Sequence, residues 1–180
     1  MDNQNNAAHS IANIYNPLIE AAKPVFILVN AMQQTTSQLS TDSLINKFSI
    51  LINNFEENAE KNGARYDAIQ AAKYCLCTFV DELAVRAGWA DETWSKNSLL
   101  VSFYDETWGG ERFFEIIQNL KQDPDKNIDL LEFMYLCLQF GYKGKYQVLN
   151  SGELEIDKIK RDLLALIHSK RPDQTAELFK

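Results

Sequence analysis

Long apolar runs are missing from this chain of 180 residues. The longest uninterrupted aliphatic or aromatic stretch, Val25 to Val29, falls far short of the ~20 residues that cross a bilayer, so the chain as given is expected to be soluble. No charged start followed by an apolar segment marks a cleaved leader. Basic charge is short as well: 18 Lys and Arg against 25 Asp and Glu leave a formal charge of −7. Nucleic acid and bare anionic membrane are thereby poor main partners, because both are held through Lys and Arg. Histidine is scarce, and neither His9 nor His168 follows a Glu by three residues, as a di-metal helical bundle requires. Three cysteines remain, Cys75, Cys77 and Cys137, all inside apolar helical patterns. Their number and setting imply a reducing compartment and packing as small hydrophobes. The C-x-C pair turns its thiols about 200° apart on a helix and lacks a second pair for zinc. A cysteine nucleophile would need His168 beside it. Strand alternation, internal repeats and low-complexity tracts are absent too.

What is present is helical periodicity. With 46% hydrophobic and 24% charged residues, the chain suits one domain, or two small subdomains sharing a core. The class is all-α with about seven to eight helices and no β-sheet. Residues 1–12 are polar and Asn-rich and are expected to form a flexible tail, with the helical domain over 13–172. Asn16-Pro17 opens a first helix, and Pro24 is expected to kink or break it. Gln33 to Ser40 is a loop. Leu44 to Phe55 spell an amphipathic helix that runs to Gly63, and Tyr66 to Ala87 the longest one. Ser98 to Tyr104 is a short helix after Trp89 and Trp94. Glu111 to Gln122 follows, stopped by Asp123-Pro124.

The next segment, Asp129 to Tyr146, reads as the spine. Leu130, Leu131, Phe133, Met134, Tyr135, Leu136, Cys137, Leu138 and Phe140 leave no polar stripe, so this helix should be packed all round. Asp129 with Glu132 resembles a capping box, and Gly141 can close the helix in the left-handed conformation. Tyr142-Lys143-Gly144-Lys145-Tyr146 then forms a compact aromatic and basic turn. A last amphipathic helix carries Leu154 to Ile167 and ends near Pro172.

Candidate chemistry is sparse. Gly109-Gly110 before a helix could cradle a phosphate, yet Glu111 would repel an anion there; a tight turn is the simpler use. Asp81-Glu82 interrupts an apolar helix, but neighbours diverge by about 100° and cannot readily share a proton. Each is better suited to an ion pair, a loop cap or a partner surface. Trp89, Trp94 and Trp108 are either core packing or an exposed aromatic anchor. The Tyr142 to Tyr146 turn could hold an anion or an acidic loop. Lys158, Lys160, Arg161, Lys170 and Arg171 make the C-terminal segment locally basic.

Asn16-Pro-Leu-Ile-Glu-Ala-Ala22, Tyr74-Cys-Leu-Cys-Thr-Phe-Val-Asp-Glu82, Ser98-Leu-Leu100, Phe103 with Glu106-Thr-Trp-Gly-Gly-Glu111 and Phe113-Phe114, and Asp129 to Tyr146 together resemble the cytoplasmic domain of the DotU/TssL (IcmH) family. That resemblance implies a hook of two packed helical bundles and a non-enzymatic component of a type VI secretion inner-membrane complex. A type IVB DotU with the same scaffold role is the alternative. Implied partners are an IcmF/TssM-like inner-membrane protein and baseplate proteins, with self-association through a C-terminal anchor and no cofactor, metal or catalytic residue. Residues 173–180 would then lead toward an anchor absent from this chain, on the cytoplasmic side. Asp81 and Glu82 fall where the family places a functional groove. The surface expected to meet partners comprises Asp81, Glu82, Trp108, Glu111, Tyr142, Lys143 and Lys145. Gly109, Gly110, Leu131, Tyr135, Leu136, Gly141 and Gly144 are expected to hold it in shape. Replacing Asp81 or Glu82 by Ala should weaken partner binding more than folding. Two rivals stand beside this reading: a small-ligand or phosphate sensor built on Trp108 to Glu111 and the Lys143/Lys145 turn, and a hydrolase built on Asp81 or Glu82, which needs a pocket around a carboxylate of raised pKa.

Overall fold

Asn16 caps the first described helix. Its Oδ1 accepts from the amides of Leu18 at 3.0 Å and Ile19 at 3.2 Å, and Pro17 supplies a first-turn residue with no amide to satisfy. In this computed structural model, which describes residues 15–34 and 39–171, α1 spans Pro17–Gln34, α2 Thr41–Lys61 and α3 Tyr66–Arg86. Two short helices follow, α4 at Glu92–Lys96 and α5 at Leu99–Tyr104, then α6 at Arg112–Leu120, α7 at Pro124–Gln139 and α8 at Gly152–Lys170. A 3-10 turn, Gly144–Val148, joins the last two. No strand occurs among the described residues, so the all-α expectation holds. The expected tail over 1–12 and flank over 173–180 lie outside the described residues.

Several boundaries differ from the sequence reading, each for a local reason. α1 runs unbroken through Pro24, which stands exposed and offers no amide to the Glu20 carbonyl one turn back. The same helix continues to Gln34, two residues into the expected loop. α2 and α3 are both 21 residues long, so the helix carrying Cys75 and Cys77 is not alone in being longest. Trp94 lies on a short helix that periodicity could not reveal in five residues, capped where the Asp91 carboxylate accepts from its amide.

The spine starts earlier than expected. Asp123 caps α7 by accepting from the Lys126 amide, and Pro124 is its first residue, so the dipeptide that ends α6 also begins the next helix. Asp129 and Glu132 are therefore one and two turns inside it, and no capping box forms. Glu132 is wholly buried instead. Leu130, Leu131, Phe133, Met134, Tyr135, Cys137 and Leu138 are buried as anticipated, against α1, α3, α6 and α8. Leu136 and Phe140 are only half-buried and Gln139 is exposed, leaving one narrow wet edge. Phe26 of α1 packs its ring 5.4 Å from Phe79 of α3 and 4.9 Å from Phe140.

Gly141 ends α7 as expected. At φ 102° its amide donates to the Leu138 carbonyl while that of Tyr142 reaches back to Cys137, the paired reverse bonds of a Schellman motif. The chain is thereby aimed back at α3.

Candidate functional site

Asp81 lies in the last third of the largely buried α3 and serves the helix that packs against it. Its Oδ1 accepts from the Leu99 amide at 2.9 Å and the Trp94 indole at 3.0 Å, its Oδ2 from the Leu100 amide at 3.0 Å. The amides are orphan donors at the start of α5, whose cap Ser98 also accepts from Val101. Burial pushes the Asp81 carboxyl up to about 6, opposed by the hydrogen bonds from Leu100, Leu99 and Trp94.

Glu82 diverges from Asp81 by the roughly 100° that separates neighbours on a helix. Its Oε1 accepts from the Gly144 amide at 2.6 Å and its Oε2 from the Lys143 amide at 2.8 Å, with Arg86 at 3.4 Å. Arg86 in turn donates to the Gly141 carbonyl at 2.7 Å. One carboxylate thus pins the turn after α7, and one guanidinium pins the end of α7 itself.

The turn at 108–110 is pressed against that pinned turn. A Cβ on Gly109 would stand 2.7 Å from the Thr78 hydroxyl, and one on Gly110 2.5 Å from the Trp108 ring. Gly144, at φ 52°, would place a Cβ 2.7 Å from the Gly110 carbonyl oxygen, which accepts from the Lys145 amide at 3.1 Å. Tyr142 is buried between them, its ring 4.3 Å from that of Phe113 and its hydroxyl 3.0 Å from that of Thr78.

Between α3 and the two turns lies a groove of about 290 Å³, lined among others by Asp81, Glu82, Val85, Arg86, Trp108 and Tyr142. The structure therefore brings together four residues of the expected surface: Asp81, Glu82, Trp108 and Tyr142. It does not bring in the other three. Glu111 is exposed just ahead of α6, Lys143 turns its ammonium to Glu153 at 3.2 Å, and Lys145 lies over the Tyr146 ring; none of them lines the groove. Of the four, Asp81, Glu82 and Tyr142 have their polar atoms engaged inside the protein. Trp108 is the contrasting case, 57% exposed at the rim with Val85 beside it in the lining. Trp94 is core and Trp89 half-buried against Phe48, so the three tryptophans divide between the two roles considered for them.

Thr78, Val85 and Arg86 went unnoticed in the sequence. Thr78 had one signal, a hydroxyl four residues before Glu82 in an apolar pattern. The polar roles are distinct from any pairing of carboxylates: Asp81 accepts donors from residues 94–100 and Glu82 from the 143–144 turn. The thiols of Cys75, Cys77 and Cys137 are buried, which pushes each well above its ordinary range.

Fold and site together define an all-α domain around a buried central helix, with a groove whose walls are braced from within by carboxylates. The family described as "Type VI secretion system protein DotU" matches residues 17–180, and the chain belongs to that family. Among solved structures it is similar to TssL from Vibrio cholerae, at 33% identity and a TM-score of 0.77 over 87% of this chain and 99% of that one. The cytoplasmic domain of TssL from Acinetobacter baumannii is 25% identical, with a TM-score of 0.73 over 83% of this chain and 98% of that one. SciP/TssL from Escherichia coli Enteroaggregative 042, at 20% identity and a TM-score of 0.70 over 84% and 88%, shares the fold. No curated protein matches the chain. Among the described residues, no helix is long and apolar enough to cross a membrane.

Proposed function

We propose that the chain is a non-enzymatic assembly domain on the cytoplasmic side of a type VI secretion inner-membrane complex, docking an IcmF/TssM-like protein and baseplate proteins. Its family membership supports the coarse part of this reading. The finer part rests chiefly on one observation: the groove's carboxylates are consumed by internal donors, while Trp108 stands exposed at its rim. Acid or base chemistry needs a carboxyl within reach of a substrate, whereas an exposed aromatic beside a rigid groove is the usual anchor of a protein interface. Glu82 and Asp81 then act on binding indirectly, by holding the groove's walls. Glu111, Lys143 and Lys145, which lie outside the groove's lining, would serve as further partner contacts on the neighbouring surface.

Attachment to the inner membrane by a C-terminal helix, self-association through it, and the hook-like division into two bundles belong to the same proposal. The family description and the TssL structures favour type VI over type IVB. Phosphate or small-ligand sensing would need the Lys143 and Lys145 ammonium groups to converge with Trp108 to Glu111 on one cavity, and they point elsewhere. The deciding experiment is affinity capture of the tagged protein from its host, read by mass spectrometry, with Trp108→Ala in parallel. Recovery of an IcmF-like protein and baseplate subunits by the native chain, reduced at least tenfold in the variant, is expected. Equal recovery by both proteins would remove Trp108 from the interface, and recovery of neither partner would end the reading.

A further inference from the structure

Three distant parts of the chain meet at one polar node that the groove does not involve. Asn16, which caps α1, donates its amide nitrogen to the Asp129 carbonyl at 2.8 Å. Arg171, which directly follows α8, divides its guanidinium between the Asp129 carboxylate and Glu132 Oε1, the latter at 2.6 Å. Glu132 is wholly buried on α7, so Arg171 is its ionic counterpart in a region that offers it no water. The preceding residue, Lys170, reaches Asp125, one turn before Asp129 on α7, at 2.9 Å. α7 thus holds the beginning of the first helix and the end of the last within a few residues of each other.

We infer that Asn16, Asp129, Glu132 and Arg171 form a terminal clasp, which registers both ends of the folded domain on α7 and couples the order of one end to that of the other. The physical basis is that Asp129 is shared. Its backbone carbonyl holds the cap of α1 and its carboxylate holds the guanidinium, so α7 must keep one position for both. A surface ion pair would lack this consequence, because exposed pairs contribute little and order little. Here the acid is inside, and removing its cation leaves a buried carboxyl without its partner. Arg is also the residue the geometry demands, since a planar fork can face two carboxylates where an ammonium is a single point charge. The start of α1 and the end of α8 are therefore held at the same place on α7.

Coupling is reciprocal, which supplies the test. Amide hydrogen exchange is followed on the native protein, Arg171→Met, Asn16→Ala and the milder Arg171→Lys. Each large variant perturbs its own end directly, so the informative amides lie at the opposite end. Arg171→Met should speed exchange at residues 18–20, and Asn16→Ala at residues 164–170, each by about tenfold, with α2 unchanged. Arg171→Lys should give a smaller change in the same places, and it keeps the question open to measurement if Arg171→Met fails to fold. Loosening confined to the mutated end would overturn the clasp. So would a uniform rise through α2, which reports only lost global stability.

Discussion

Leu131 and Leu136 stand five residues apart on α7, and the sequence treats them alike, yet their loss should not cost the same. Leu131 is fully buried and Leu136 sits on the narrow wet edge. Leu131→Ala is expected to cost ~2–5 kcal/mol, through lost transfer energy and the cavity left behind. Leu136→Ala should cost about half as much or less, since its surroundings are already partly solvated. Urea denaturation of both variants checks the order, and equal losses would contradict the burial pattern. Glu132 carries a second residue-scale prediction. Burial pushes its carboxyl from 4.5 to about 7, with the Arg171 guanidinium working against the rise. The folded protein then keeps a proton that the unfolded chain has released. Stability from this group is complete below pH ~4.5 and is lost as pH rises through about 7. Glu132→Gln cannot ionise, so its stability relative to the native protein should improve from pH 5 to pH 8. Parallel pH dependences for the two proteins would show that Glu132 does not titrate in that window.

At the scale of elements, the long helices and the caps at Asn16 and Ser98 are legible in the sequence, whereas the short α4 and the start of α7 are not. Apolar spacing identified the long helices because burying one face requires it. The start of α7 was misplaced because Asp123-Pro124 signals a stop and a start with equal force, and only the packing of Leu130 and Leu131 shows that the chain continued. Within the groove, the glycines were legible as turn formers, but what they approach was not. Gly144 combines φ 52° with a Cβ path blocked by the Gly110 carbonyl oxygen, so Gly144→Ala should cost roughly 1–3 kcal/mol in backbone strain and displacement. Gly63→Ala is its control: φ there is 87° with open space around it, so only the conformational cost of about 1 kcal/mol applies. Asp81→Ala belongs here as well, because it strips acceptors from Leu99, Leu100 and the Trp94 indole together. A loss of about 2–4 kcal/mol is expected from the buried unpaired donors, so this substitution tests folding before it tests any partner. That favours the loop-cap role that the residues themselves allow over the partner surface that the family resemblance implies for Asp81.

For the whole molecule, the acidic pair was found in the sequence because it broke an apolar helix, but its meaning depended on what crossed α3 on each side. Asp81 holds α5 and Glu82 holds the turn after α7, so two long-range connections converge on adjacent residues. No local pattern encodes that, since residues 81 and 82 meet partners at 94–100 and 143–144. Rigidity of the groove then follows from α3, and any binding function falls to side chains that the bracing leaves free. Trp108 separates the two contributions. Its ring covers Gly110 but remains more than half exposed, so Trp108→Ala should move the melting temperature by no more than about 2 °C. Glu82→Gln should lower it by more, because a charged acceptor shared by two amides becomes a neutral one. If the groove face is the docking surface, both variants lose partner recovery, Trp108→Ala at unchanged stability and Glu82→Gln in proportion to the loosened turn. Calorimetry paired with affinity capture distinguishes them. Retained recovery in Trp108→Ala alongside loss in Glu82→Gln would move the interface from the aromatic rim to the 143–144 turn.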